Sequence, residues 1–144
     1  RKIKRKIRGS YNIFSKKELL EHKWRTLLIT TFKDDKSDRG SLTVVEKILP
    51  FEIKRFYFIY GVNLIRGGHR HKKTIQALIS LGGSCEINAL DGEVEKTFLL
   101  DSPSKCLILD PKDWHTMDKF SKGTTLLVCS SEYYDENDYI DERY

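Results

Sequence analysis

The chain has 144 residues and a mass of 16.9 kDa, with 26 Lys and Arg against 21 Asp and Glu, a formal charge of +5 and a pI near 9.1. That length points to one domain, able to bury roughly 70% of the surface its unfolded form exposes without disulfides or a structural metal. A hydrophobic content of 39% with 33% charged residues excludes a disordered chain, and no apolar run approaches the ~20 residues of a membrane-spanning helix.

The first feature in chain order is a basic arm. Arg1, Lys2, Lys4, Arg5, Lys6 and Arg8 lie within the first eight residues, and the remaining 136 carry 20 basic and 21 acidic side chains. The body is therefore close to neutral, and the arm reads as a solvated terminus without the apolar stretch of a secretory signal. Neither nucleic acid nor a membrane is an expected partner. Ser15-Lys16-Lys17-Glu18 has capping-box spacing and predicts a short helix through Leu19 and Leu20.

From Trp24 onward short β-rich runs alternate with turn residues. The predicted strands are 24–32, 41–47, 53–60, 74–81, 84–89, 94–100, 105–109, 116–120 and 124–130. Gly82-Gly83 and Asp91-Gly92 supply the positive backbone angles of hairpin turns. Cys85, Ile87 and Ala89 alternate with Glu86 and Asn88, so that strand has one dry and one wet face. This pattern predicts an all-β fold: a sandwich, jelly roll or small barrel. The acidic, Tyr-rich segment 131–144 is expected to form a turn and a short helix. Cys85, Cys106 and Cys129 are odd in number and lie in apolar runs, which fits reduced core residues in a cytosolic protein; no zinc spacing or Cys-x-x-Cys motif is present.

The chemistry concentrates in Arg66-Gly67-Gly68-His69-Arg70-His71-Lys72. On an extended strand His69 and His71 project to the same face, and Arg70 to the other. Two convergent imidazoles suit metal binding or acid–base catalysis, and they also suit an edge strand in water.

This stretch resembles the first motif of the cupin family, a His-x-His followed about five residues later by Glu and then by Gly. Here Gln76 stands in the place of the Glu, followed by Gly82-Gly83, and Pro111-Lys112-Asp113-Trp114-His115 partly fits the second motif. A neutral amide is a weaker ligand than a carboxylate, so a metal-free histidine pair is expected and no cofactor is called for.

Within the cupins the sequence resembles the nucleotide-sugar 3,4-ketoisomerases. The matching segments begin with Asp38-Arg39-Gly40-Ser41-Leu42 and the run from Pro50 through Tyr60, then the histidine stretch. They continue through Gly83-Ser84-Cys85, Asp91-Gly92, Leu99-Leu100-Asp101-Ser102-Pro103 and the segment from Pro111 to His115, and end in the tail from Ser131 to Ile140. The resemblance covers about residues 37–144, which sets residues 1–36 apart as an arm and lead-in segment. It departs from the family at Arg70, usually Ala, and at Phe58, the second aromatic of a Tyr-Tyr-Ile run.

The resemblance implies a cupin-type jelly-roll barrel acting on dTDP-4-keto-6-deoxyglucose, in deoxyamino-sugar synthesis for bacterial surface polysaccharide such as O-antigen. It also implies a cytoplasmic homodimer in which a strand is exchanged between subunits. Moving a keto group from C4 to C3 needs a base, a shuttle and stabilisation of an enediol, and no hydride cofactor. His69 is the expected general base, near an ordinary histidine pKa, with His71 as its partner; the two roles are exchangeable. Tyr57 is the expected donor to a sugar oxygen. Arg66 leads the candidates for the pyrophosphate, followed by Arg39 and Arg55, because a guanidinium fork matches phosphate oxygens. Gln76, His115 and Trp114 are expected to surround the substrate. A 3,5-epimerase of the related keto sugar and a non-catalytic sugar-nucleotide-binding module are the competing readings.

Overall fold

The computed structural model describes residues 25–28, 31–33 and 40–144. The strands are β1 (Arg25–Leu28), β2 (Thr31–Lys33), β3 (Ser41–Thr43), β4 (Arg55–Tyr60), β5 (Arg66–His71), β6 (Gln76–Gly82), β7 (Cys85–Leu90), β8 (Glu95–Leu100), β9 (Lys105–Leu109), β10 (Trp114–Asp118), β11 (Thr125–Ser130) and β12 (Tyr139–Ile140). They form two five-stranded sheets, β1-β9-β6-β11-β4 and β12-β5-β10-β7-β8, with β2 and β3 paired separately. Each pairing is antiparallel. The all-β expectation holds, with the jelly-roll arrangement of two facing sheets.

The main core lies between the sheets. Leu78, Leu107, Leu109, Leu126 and Val128 from the first meet Cys85, Ile87, Ala89, Leu100 and Met117 from the second. Full burial of such side chains is worth about 1.5–3 kcal/mol each. The first sheet has a second dry face, where Ala77, Ile79, Cys106, Ile108 and Cys129 pack beneath Leu49 and Phe51. The three cysteines are buried and free, as expected of small core residues.

Several predicted bounds shift. The run 24–32 contains two strands: β1 pairs with β9, and β2 pairs with β3. The sheets thus take in residues before position 37. The helix predicted from Ser15 lies outside the described residues. The tail forms one 3-10 turn (Glu136–Asp138), capped by the Asp135 carboxylate accepting from Asn137 N, and then β12. A polar sequence rich in Asp and Asn favours a capped turn over a longer helix.

β5 is absent from the runs found by hydrophobic pattern, because Arg66-Gly67-Gly68 carries no apolar signal. Its geometry is irregular: Gly67 and Gly68 both have positive φ, 85° and 84°, and the β10–β5 register shifts between His115 and Thr116. A Cβ on Gly67 would sit 2.8 Å from the His115 carbonyl oxygen, so only glycine fits there. The irregularity leaves His69 paired with His115 across the strands.

Candidate active site

The site lies at one end of the cleft between the sheets. A cavity of about 360 Å³ is lined by Arg55, Phe56, Tyr57 and Ile59 of β4, Arg66, Gly67 and His69 of β5, Met117 of β10 and Tyr139 of β12. Alternation turns three of the four β4 lining residues inward, and Phe56 lines the cavity from the exposed side. In β4, Arg55, Tyr57 and Ile59 are partly buried while Phe56, Phe58 and Tyr60 are exposed.

Three imidazoles converge here. The ring centroids of His69 and His71 are 5.1 Å apart, those of His69 and His115 5.0 Å, and those of His71 and His115 6.2 Å. His69 faces the cavity, while His71 and His115 lie behind it at 3% and 1% exposure. His71 Nδ1 bonds the Asp138 carboxylate at 3.0 Å, and His115 Nδ1 bonds the Asp113 carbonyl oxygen at 2.9 Å. Both partners are acceptors, so each Nδ1 carries the proton and each Nε2 keeps a lone pair. Neither Nε2 has a hydrogen-bond partner, although both are buried.

Burial lowers all three pKa values. His69 falls to about 4 through burial and the neighbouring His71, with Asp141 opposing. His115 falls to about 3, chiefly through burial. His71 is also lowered by burial, against the raising effect of its bond to Asp138. The expected near-ordinary pKa for His69 is therefore corrected downward: all three rings are neutral at pH 7 and available as proton acceptors.

The three histidine nitrogens lie within 4.8 Å of one another. The cluster has no carboxylate donor. Gln76, in the place of the family's Glu, gives its Nε2 hydrogen to Tyr57 Oη at 3.1 Å. The three imidazoles could each offer a nitrogen to a metal ion, but Gln76 is engaged with Tyr57.

Tyr57 is pushed above its usual pKa by burial and by the nearby Tyr139, with Arg55, Gln76 and Arg66 opposing. It is therefore a protonated donor at neutral pH. The Arg55 guanidinium lies 5.4 Å from the Tyr57 ring centroid and 5.6 Å from that of Tyr134, and Arg66 is exposed on the cavity rim.

The structure thus brings His69, His71, His115, Tyr57, Gln76, Arg55 and Arg66 together. Trp114 is corrected: it precedes His115 on β10 and projects to the opposite face. There its Nε1 donates to the Asp141 carbonyl and its ring meets Arg143. Arg39 lies outside the described residues. Two contributors carried no expected role, Asp138 and Tyr139. The Tyr139 ring packs on His69 at 4.8 Å and on His71 at 4.7 Å. Their only sequence signal was membership of the Tyr-Asp-Glu-x-Asp-Tyr tail.

The two facing sheets and the histidine-lined cavity between them define a cupin-type barrel. The chain belongs to the family described as FdtA: WxcM-like, C-terminal, whose model matches residues 24–144. It is 42% identical over 116 residues to the TDP-4-oxo-6-deoxy-alpha-D-glucose-3,4-oxoisomerase of Aneurinibacillus thermoaerophilus, covering 78% of this chain and 84% of that one. A solved structure of a mutant of the 3,4-ketoisomerase QdtA from Thermoanaerobacterium thermosaccharolyticum, in complex with TDP-4-keto-6-deoxyglucose, is 41% identical. Its TM-score is 0.78, over 83% of this chain and 87% of that one. The dTDP-4-dehydrorhamnose 3,5-epimerase of Bacillus anthracis shares the fold at 17% identity and TM-score 0.70, over 81% and 77% of the two chains. Among the described residues no helix is long and apolar enough to cross a membrane.

Proposed function

We propose that the protein is a 3,4-ketoisomerase of a nucleotide-linked 4-keto-6-deoxy sugar, with dTDP-4-keto-6-deoxyglucose as substrate. The observation that carries this reading is a neutral histidine, a protonated tyrosine and two arginines on the wall of one cavity.

The C3 hydrogen of the substrate lies beside the C4 carbonyl and is acidic. His69 removes it and O4 gains a proton, giving an enediol; after exchange with solvent on His69 a proton is delivered to C4 while O3 loses its own, leaving the keto group at C3. Electrons move only between neighbouring carbons, so no redox cofactor enters the balance. Tyr57 donates to the sugar oxygen on which charge develops, in a partly dry site where such a bond is strong. Arg66 and Arg55 meet the pyrophosphate, with Arg39 a further candidate on sequence grounds. His71 and His115 stand behind His69, and Gln76 holds the Tyr57 hydroxyl.

The reading extends to assembly and setting. Among the described residues β4 is an edge strand, and its Phe56, Phe58 and Tyr60 are 62%, 53% and 73% exposed. An unpaired edge with an aromatic stripe is a liability that a second copy removes, which supports a homodimer with strand exchange. Deoxyamino-sugar synthesis for lipopolysaccharide O-antigen in the cytoplasm is the corresponding biological setting.

The test is incubation with dTDP-4-keto-6-deoxyglucose in deuterated water, followed by NMR, with and without a chelator. A new 3-keto species carrying deuterium at C4 is expected, unchanged by the chelator. Exchange at C5 instead would mark an epimerase, and no exchange would leave a binding module. Chelator-sensitive turnover would overturn the metal-free mechanism.

A further inference from the structure

The carboxylate of Asp138 is 3% exposed, and a buried charge is stable only with its hydrogen bonds filled. It accepts from His71 Nδ1 at 3.0 Å, from the Lys73 amide at 2.9 Å and, through the oxygen shared with His71, from the Thr74 hydroxyl. The Lys72 amide bonds the Asp138 carbonyl at 2.8 Å. Four consecutive residues, His71 to Thr74, thus grip one residue of the tail. Burial raises the Asp138 pKa, but these donors outweigh it and hold the group below the usual carboxylate range.

An ionised carboxylate can only accept, so it fixes the proton of His71 on Nδ1. The lone pair then sits on Nε2, the atom left buried and without a partner among the three rings. Tyr139, the next residue, packs on both His69 and His71 and pairs with His71 across β12 and β5. One short strap therefore sets the tautomer of one imidazole and the orientation of two.

We propose that Asp138 is a positioning residue for the isomerisation, holding His71 in the tautomer whose basic Nε2 supports proton exchange by His69. Asp138 itself touches no substrate and stays ionised throughout. The proton taken up during the enediol step rests on His69 or His71, where it exchanges with solvent, and one proton returns to the sugar, so no group ends the cycle changed. This inference rests on the ketoisomerase reading.

Asp138→Ala and Asp138→Asn test it by two readouts. The first is turnover of dTDP-4-keto-6-deoxyglucose, with kcat and KM separated. Loss of the outer partner of a metal-bound histidine costs about 10–100-fold, and a similar factor is expected for this metal-free His71–Asp138 pair. Asp138→Ala is expected to lower kcat by that factor with KM changed less than about twofold, and Asp138→Asn, which still offers an acceptor oxygen, to recover part of it. The second readout is nitrogen NMR of labelled histidine in the ligand-free protein. His71 is expected as a single Nδ1-protonated tautomer in the wild type and as a mixture in Asp138→Ala.

Wild-type kcat in both variants, an Nε2-protonated His71 in the wild type, or equal losses in kcat and TDP affinity would each overturn the proposal. If Asp138→Ala does not fold, Asp138→Asn and the wild-type spectrum decide. A wild-type protein inactive on the sugar would sink the ketoisomerase reading, while the tautomer measurement would still report on Asp138 and His71.

Discussion

His69 and His115 face each other across paired strands, 5.0 Å between ring centroids, yet occupy opposite settings. His69 opens onto the cavity, and among the described residues its ring nitrogens have no hydrogen-bond partner. His115 is buried, with Nδ1 tied to the Asp113 carbonyl. The same division runs through the whole site. Arg55, Arg66 and Tyr57 stand in front, and His71, Asp138, Thr74 and Gln76 are bonded to one another or to the front rank from behind. The front presents free polar atoms to a ligand, while the back spends its polar atoms on holding rings in place. Preorganisation of this sort places its cost in the fold, ahead of binding.

The largest expected break in that division is His69→Asn. The amide keeps the polar volume on the cavity wall but cannot accept and return a proton at carbon. Loss of a general base costs typically 10²–10⁴-fold, so kcat is expected to drop by about that factor with the melting temperature nearly unchanged. Comparable kcat values in variant and wild type would move the base to a rear histidine. Next in size is Arg66→Ala, at the exposed rim. A charge-assisted hydrogen bond contributes about 1.5–3 kcal/mol, so TDP affinity measured by calorimetry is expected to fall by about 10- to 150-fold, with little change in kcat. A kcat loss without an affinity loss would remove Arg66 from the pyrophosphate.

The front of the site was more legible in the sequence than the back. His69 and His71 announce themselves by a two-residue spacing, Tyr57 follows once the strand 53–60 is drawn, and Arg66 stands three residues before His69. Asp138 is 67 residues from His71 and sits in an acidic tail, where a buried carboxylate and a solvated one look alike in sequence. The fold shows the same split. Alternation along β7 reads directly as one dry face, and its burial follows that pattern residue by residue. β6 and β9 are buried on both faces, so their apolar runs carry no phase to say which side meets the barrel interior. β5 has no apolar signal because its two glycines serve the backbone, and Trp114 was placed in the site because composition near a histidine does not reveal which face an aromatic takes.

The smallest effect, and the one that reads front and back together, is the pH dependence of stability. His69, at about 4, and His115, at about 3, stay neutral in the folded protein over most of the range in which the unfolded chain protonates, near 6.5 and below, and His71 is lowered in the same direction. The unfolded state therefore binds more protons as pH falls below about 6.5. Stability contributed by these rings is complete above that value and lost progressively down to the folded pKa values. Each ring that stays neutral costs on the order of 1.4 kcal/mol per pH unit in that window. Asp138, with its pKa lowered, adds its own loss only below about 4, so the interval from 6.5 to 4 isolates the histidines. Urea unfolding across that interval is expected to show proton uptake, led by His69 and His115, of about two protons per molecule. His69→Asn should reduce this by about one. His69 begins to protonate in the fold at the acid end, so the residual slope near pH 4 belongs chiefly to His115. A flat profile between pH 6.5 and 4 would mean that the rear rings are already charged in the folded state, and the division between a bonded back and an open front would then have to be redrawn.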